Sequence, residues 1–369
     1  MQTATLLGIE TSCDDTAAAV VRVAAGGEPK ILSNVVWTDF ADHAAFGGVV
    51  PEIAARSHVE RLDLVIERAL KEAGLGVADL SGVAATAGPG LVGGVMVGLT
   101  AGKAIAIAAD IPLIPVNHLE GHALSARLTE PVDFPYLLLL ISGGHTQLIE
   151  VEALGRYRRL GSTIDDAAGE AFDKTAKLLD LGQPGGPRIE SAAVGGRSDR
   201  FDLPKLLAKQ DNCDFSFSGL KTAIRLVIEG LTDSGAGMTG QDVADIAASF
   251  QAAAARHLAD RTARAMKAVG PRFASGKTLV VAGGVAANCA IKAELSALCA
   301  RNSWRLVAPP AKYCTDNAAM IALAGGERML AGLAPAKAEA LSFAPRARWP
   351  LAPVPEGMAV GSGRKGPRA

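Results

Sequence analysis

Short apolar runs broken by polar or glycine-rich turns set the rhythm of this chain. Leu6-Leu7-Gly8-Ile9-Glu10 and Ala17–Val23 flank the polar stretch Thr11-Ser12-Cys13-Asp14-Asp15-Thr16. This pattern predicts strand, tight turn, strand, with hydroxyls and two carboxylates at the tip. Tyr136-Leu137-Leu138-Leu139-Leu140-Ile141 and Gln147–Val151 repeat the plan around Ser142-Gly143-Gly144-His145-Thr146. A repeated hairpin implies internal duplication: two related α/β halves with a nucleotide cleft expected between them. Turns of this kind can cradle a phosphate with backbone N–H groups, and carboxylates there can hold a hydrated cation. For the first hairpin alone, a plain β-turn explains Asp and Ser equally well. Further apolar runs at Val83–Thr86, Ile111–Val116, Thr278–Ala282 and Leu306–Ala308 read as buried strands.

Between the strands the period lengthens. Ile53, Leu62, Val65, Ile66, Ala69 and Leu70 make one helical stripe that starts near Pro51 and ends at Gly74. Leu91–Ala109 is apolar but interrupted by Gly93, Gly94, Gly98, Gly102 and Lys103, so it predicts a close-packed helix rather than a membrane span. Ile164–Lys174 enters a helix closing near Gly182, on which Glu170, Asp173, Lys174 and Lys177 share a charged face. Pro184-Gly185-Gly186-Pro187 predicts a rigid turn. Asp214–Thr222 reads as a short strand feeding a helix capped by Ser218, Gly230–Gly240 as a flexible connection, and Val243–Val269 as a long structural helix. Thr278–Ala282 runs into Gly283-Gly284-Val285-Ala286-Ala287-Asn288 and a helix, which suits an adenosine or its phosphate. The motif is not Gly-x-Gly-x-x-Gly, which disfavours a dinucleotide site. Cys314–Ile321 starts the last helix, with Thr315 or Asp316 near its cap.

His118-Leu119-Glu120-Gly121-His122 follows the strand at Ile111–Val116. Histidines four apart lie on one helix face, where two imidazoles can share a metal ion. A helix start whose histidines cap or pack is the plainer alternative. The glutamate is third rather than second, so the motif lacks the general base of the His-Glu-x-x-His proteases. A third ligand must come from elsewhere; the loop carboxylate of Asp316 is a candidate, and simple N-capping is its alternative.

Length and charge narrow the class. With 369 residues the chain has room for two domains, and 49% hydrophobic with 20% charged residues fits an ordinary globular protein. A net charge of -1 confines any nucleic-acid contact to a local basic patch. Five cysteines without a Cys-x-x-Cys pair fit a reduced, cytoplasmic chain better than a disulfide framework. No basic stretch precedes the first strand, so no signal peptide is expected, and with Leu91–Ala109 read as a buried helix no membrane partner is expected. After Pro345 the tail carries Arg346, Arg348, Arg364, Lys365 and Arg368 and is expected to be disordered over 351–369, with RNA contact a minor option.

Together the motifs resemble the universal tRNA threonylcarbamoyladenosine transferase family, formerly called glycoprotease or O-sialoglycoprotein endopeptidase, in its bacterial form. The resemblance is carried by Gly8–Asp14, Gly47-Gly48-Val49-Val50-Pro51-Glu52, Thr86–Leu91, His118–His122, Ser142–Thr146, Asp165–Lys174, Pro184–Pro187, Phe215–Lys221, Ala282–Asn288 and Cys314–Asn317. They run in order over nearly the whole chain. The resemblance implies an α/β, actin/Hsp70/sugar-kinase-like fold of two duplicated RNase H-like halves. The first would span 1–115, joined by a returning helix at about 318–334, and the second 116–317. It implies transfer of a threonylcarbamoyl group from threonylcarbamoyl-AMP to the exocyclic amine of the adenosine beside the anticodon, position 37, in tRNAs reading ANN codons. His118, His122 and Asp316 would hold one divalent metal, usually iron, with zinc as the chemical rival. Leu140, Ile141, Ser142, Gly143, Gly144, Asp173, Gly186, Glu190 and Asn288 would contact the adenylate, and Asp14 would face the reacting group. Implied partners are tRNA, a paralogous protein of the same fold and a small ATPase, with docking expected on the helices at Ile53–Leu70 and Val92–Ala109.

The chain departs from the family pattern at Asp15, where glutamate is usual, at Ala45-Phe46 for Asp-Tyr, at Cys289 for arginine and at Glu190 for Asp or Ser. A kinase or ATPase of the same superfamily would explain the hairpins. It would leave Glu10 in place of a magnesium-facing aspartate and the His118, His122 and Asp316 set without a purpose. A metalloprotease is the weaker alternative.

Overall fold

Among the described residues two five-stranded mixed sheets form, one in each of two compact units. The computed structural model describes residues 2–38, 49–233, 237–273 and 276–353. Expectations for Ala45-Phe46, Gly47-Gly48 and the basic tail residues Arg364, Lys365 and Arg368 lie outside them. Unit 1 comprises Met1–Val132 and Pro309–Leu351, and unit 2 Asp133–Ala308. The divisions therefore differ from the expected 115/116 and 317/318, and they bring His118, His122 and Asp316 into one unit.

In unit 1, β1 (Thr3–Glu10), β2 (Thr16–Ala24), β3 (Lys30–Trp37), β4 (Gly82–Gly88) and β5 (Leu113–Asn117) lie in the order β3-β2-β1-β4-β5. The β1/β2 and β2/β3 pairs are antiparallel; β1/β4 and β4/β5 are parallel. From Ala4 to Glu10 every residue of β1 is buried, because helices cover both faces of the central strands, and the sequence is accordingly apolar without alternation. One cover is α1 (Pro51–Ala73), with Pro51 in its first turn and Gly74 in the left-handed conformation at its end. Its Leu62, Val65 and Ala69 pack against Leu7, Ile9 and Val20.

The glycine-rich helix is α2 (Val92–Ala108). Its small residues serve its own unit: a Cβ on Gly94 would strike Thr11 O, and one on Gly98 would strike Thr11 Oγ1. The helix thus lies directly on the β1–β2 turn. Val92, Met96 and Ile107 remain exposed on its other side. Next comes α3 (His118–Leu124), which begins immediately after β5 and is buried throughout.

Unit 2 contains β6 (Tyr136–Ile141), β7 (Thr146–Ala153), β8 (Arg156–Ser162), α4 (Ala168–Leu178), α5 (Gly185–Ala192), α6 (Ser218–Asp233), α7 (Gly240–Val269), β9 (Thr278–Ala282), α8 (Cys289–Asn302) and β10 (Arg305–Val307). The sheet order is β10-β9-β6-β7-β8, with β6/β7 and β7/β8 antiparallel and β6/β9 and β9/β10 parallel. Matching β6–β10 in sequence to β1–β5 reproduces every neighbour and every direction. The third strand of each sheet, β3 and β8, has no buried apolar run, since both are half-exposed edge strands. Neither therefore stands out in the hydrophobic pattern.

Two expected caps shift. Ser218 is the first residue of α6, and the cap is Asp165, which accepts from Ser216 Oγ at 2.6 Å, Phe217 N–H at 2.8 Å and Ser218 Oγ at 2.6 Å. The expected strand before it is reduced to a single bridge between Thr163 and Phe215. The chain then returns to unit 1, where α9 (Ala318–Leu330) packs on β1 and β2. Gly8 has no room for a Cβ against Ala318 O, so this close packing requires glycine there. The α9 cap is Asn317, whose Oδ1 accepts from Met320 N–H at 3.1 Å, rather than Thr315 or Asp316. Among the described residues no helix is long and apolar enough to cross a membrane.

Candidate metal centre

The start of α3 is set by Asn117, whose Oδ1 accepts from Leu119 N–H at 2.9 Å. One turn then separates His118 from His122, and their rings lie edge to face with centroids 4.7 Å apart. Both side chains are buried. Asp316, which precedes the Asn317 cap, brings Oδ1 within 3.1 Å of His122 Nε2 and 3.5 Å of His118 Nε2. One ligand atom from each of the three residues fits within 4.8 Å of the others.

This donor set fits a divalent metal. Bonds of about 2.0–2.2 Å place neighbouring ligand atoms about 3–3.5 Å apart, the spacing of Asp316 Oδ1 from both imidazole nitrogens. Two imidazoles and one carboxylate are a donor set that could hold iron or zinc. Glu120 takes no part: its carboxylate accepts from Arg328 of α9 at 3.0 and 3.2 Å, which ties the histidine helix to the returning helix. Gly121 allows this approach, since a Cβ there would lie 2.8 Å from Ile321 Cδ1.

Behind His118 lies a buried polar network. Glu10, at the end of β1, accepts from Ser12 N–H at 2.6 Å, Thr86 Oγ1 at 2.6 Å and His118 Nδ1 at 2.9 Å. Ser12 Oγ is also 3.1 Å from His118 Nδ1. Burial works against the charged His118, but the charges of Glu10 and Asp316 outweigh it and lift its pKa to about 9. Burial likewise opposes the Glu10 charge, and the His118 partnership holds the carboxyl below its usual range. Asp14 sits in the same β1–β2 turn, two residues beyond Ser12, and is partly exposed. Next to it, burial raises Asp15 to about 7, with Thr38 donating to its carboxylate in partial opposition and the charges of Asp316, Asp14 and Glu10 adding to the rise.

The residues expected to contact the adenylate all lie in unit 2. Leu140 and Ile141 end β6, beside Ala282 at the end of β9. The turn after them is closed by Ser142 N–H donating to His145 O at 2.8 Å. Gly169 of α4 lies against that turn, where a Cβ would come 2.7 Å from both Ser142 O and Gly143 Cα. Asp173 Oδ1 accepts from Gly185 N–H at 2.7 Å, joining α4 to the start of α5, and burial raises the Asp173 pKa. Gly186 is open: no atom lies within 4 Å of where its Cβ would be. Glu190 of α5 accepts from Cys289 N–H at 2.8 Å, and Asn288 caps α8 through Ile291 N–H while donating to Gln251. Close packing thus joins Leu140–Gly144 to α4, and hydrogen bonds join Asp173 to Gly185 and Glu190 to Cys289 beside Asn288, all within a single unit.

Residues 30–323 match the family described as tRNA N6-adenosine threonylcarbamoyltransferase. The chain is 56% identical over 367 residues to the protein of that name from Rhizobium etli strain CFN 42, covering 99% of this chain and 98% of the other. It is 58% identical over 371 residues to that of Chelativorans sp., covering 99% of both. The chain belongs to the tRNA N6-adenosine threonylcarbamoyltransferase family. Similarity of fold alone extends to HypF of T. kodakarensis, at a TM-score of 0.57 and 17% identity over 89% of this chain and 47% of that one.

Three supporting residues receive no role from the sequence: Glu10 and Thr86, which lie inside two of the matching motifs, and His58, which lies outside them. Glu10 is notable there only for standing in place of a magnesium-facing aspartate, and Thr86 only as part of a strand and of the motif it opens. His58 of α1 is fully buried, with Nδ1 2.7 Å from Thr16 Oγ1 and Nε2 3.0 Å from Cys13 O. It braces the β1–β2 turn from behind. A polar residue on the apolar stripe of α1 is the available signal.

Proposed function

We propose that this chain passes the threonylcarbamoyl group of threonylcarbamoyl-AMP to the N6 amine of adenosine 37, beside the anticodon, in tRNAs reading ANN codons. The observation that carries this reading is full-length family membership together with the gathered His118, His122 and Asp316 set. The repeated strand order of the two sheets supports the finer reading of the fold as duplicated, RNase H-like halves of the actin/Hsp70/sugar-kinase type. A kinase or ATPase reading gives no role to that His-His-Asp set.

In this reading the N6 lone pair attacks the carbamoyl carbon, the bond from that carbon to the phosphate oxygen breaks, and AMP leaves as an anion. Backbone N–H groups of the Ser142-Gly143-Gly144 turn and of Gly283-Gly284 hold the phosphate, with Asp173, Gly186, Glu190 and Asn288 around the nucleoside. Asp14 takes the proton released by the amine. His118, His122 and Asp316 would hold the metal, iron with zinc as rival, which when bound supplies Lewis acidity toward the carbamoyl oxygen. A paralogue and a small ATPase act with the enzyme in the cytoplasm; the exposed Val92, Met96 and Ile107 of α2 and Val59 and Leu64 of α1 favour a partner there.

The test is transfer of labelled threonylcarbamoyl from its adenylate to unmodified tRNA, with partner proteins added. Wild type should modify the tRNA, and His118→Ala should not. Asp14→Asn should bind adenylate normally and lose transfer. No transfer by wild type, with phosphorylation of a small molecule instead, would establish the kinase reading.

A further inference from the structure

We infer that Glu10 is a positioning residue for His118: it grips the ring through Nδ1–H and so presents Nε2 to the metal. The inference rests on the metal reading of His118, His122 and Asp316. Glu10 is completely buried, and its two oxygens accept from groups on three separate elements. Oε1 takes Ser12 N–H of the β1–β2 turn; Oε2 takes Thr86 Oγ1 of β4 and His118 Nδ1 of α3. An ionised carboxylate has no proton to offer, so the hydrogen in the 2.9 Å contact belongs to the ring. With Nδ1–H engaged by Glu10, the lone pair that a neutral ring offers a metal lies on Nε2, the atom 3.5 Å from Asp316 Oδ1.

A ring held this way has a fixed tautomer and a fixed orientation, and the charge behind it strengthens Nε2 as a ligand. Anchoring the turn or the strand would need only the Ser12 and Thr86 bonds. The third bond, to His118, is the one a purely structural glutamate would not require. Ser12 Oγ, at 3.1 Å from the same nitrogen, is the rival partner, and it differs from Glu10 in carrying no charge. In Glu10→Gln the amide can present its oxygen to His118 only by turning its NH2 toward Ser12 N–H, a clash of donors. Flipping it puts the NH2 against Nδ1 and opposes the required tautomer.

The experiment uses the full chain with zinc as probe and a chromogenic chelator as competitor. Wild type should bind one zinc, Glu10→Gln should bind about 10- to 100-fold more weakly, and Ser12→Ala should stay within about threefold. In zinc-loaded wild type with 15N-labelled histidine, His118 should keep its Nδ1 proton in a low-field, hydrogen-bonded position, and in Glu10→Gln that resonance should move upfield. Equal zinc affinity in Glu10→Gln and wild type overturns the inference, as does a loss in Ser12→Ala as large as that in Glu10→Gln. If Glu10→Gln does not fold, the wild-type spectrum decides, and an unprotonated Nδ1 overturns the assignment. A wild type that binds no zinc or iron removes the metal reading itself, and the inference with it.

Discussion

Two neighbouring glycines at the unit 2 turn should separate stability from binding. A methyl group on Gly169 would sit 2.7 Å from Ser142 O and Gly143 Cα, and 3.0 Å from Gly143 N. All three are backbone atoms, so nothing can rotate away; α4 must retreat by about 0.7 Å to reach ordinary contact. That retreat stretches Gly169 N–H to Ser142 O, now 3.3 Å, and Ala168 N–H to Thr146 Oγ1, now 2.8 Å. Overpacking and weakened hydrogen bonds together cost about 2–3 kcal/mol. Replacing glycine within a helix returns about 0.5–1 kcal/mol, for a net loss of about 1–2.5 kcal/mol in Gly169→Ala. Gly143 differs: no atom lies within 4 Å of a Cβ placed on it. Gly143→Ala should therefore leave stability within about 0.5 kcal/mol of wild type. If the turn cradles the phosphate, however, the added methyl should weaken AMP binding at least tenfold. Urea unfolding followed by circular dichroism, with AMP titration by calorimetry, reads both quantities. Equal stability of the two variants would refute the packing argument, and unchanged AMP affinity in Gly143→Ala would refute the phosphate role.

Other consequences follow from buried polar groups. His257 of α7 is held to about pKa 4 by burial and by the charge of Arg261, while its Nε2 accepts from Ser216 N–H. Its folded value lies below the unfolded one, so unfolding takes up a proton between pH 6.5 and 4 and stability falls as pH drops through that window. The group contributes about 3 kcal/mol of this slope, and His257→Gln should flatten it in denaturation series at several pH values. Asp165→Ala removes the α6 cap and should cost about 1–2 kcal/mol at pH 7, whereas Asp165→Asn should recover part of it; a loss below about 0.5 kcal/mol by urea titration would refute the capping role. Arg328→Leu takes the guanidinium away from the buried Glu120 carboxylate and should lose about 3 kcal/mol. The double variant with Glu120→Leu should be more stable than Arg328→Leu alone, and a double variant no better than the single would count against the pairing.

Much of the site was local and therefore legible. The i,i+4 spacing of His118 and His122 fixes both on one helix face whatever surrounds them, and the hairpin around Ser142-Gly143-Gly144 follows from an apolar run, a glycine turn and a second run. The duplicated hairpins likewise predict two halves, and the two sheets have matching strand order. Tertiary packing decided the rest. Asp316 joins the histidines because Asn317, rather than either preceding residue, caps α9, and because α9 packs beside α3 with Arg328 on Glu120. The unit boundaries moved for the same reason: α3 packs with its own strand and with α9, a contact between segments about 200 residues apart that no local pattern encodes. Edge strands β3 and β8 left little trace because half-exposed strands need little apolar sequence. Glu10 gained its place behind His118 only when β1, β4 and α3 came together, since a buried carboxylate acquires its meaning from the donors that folding brings to it.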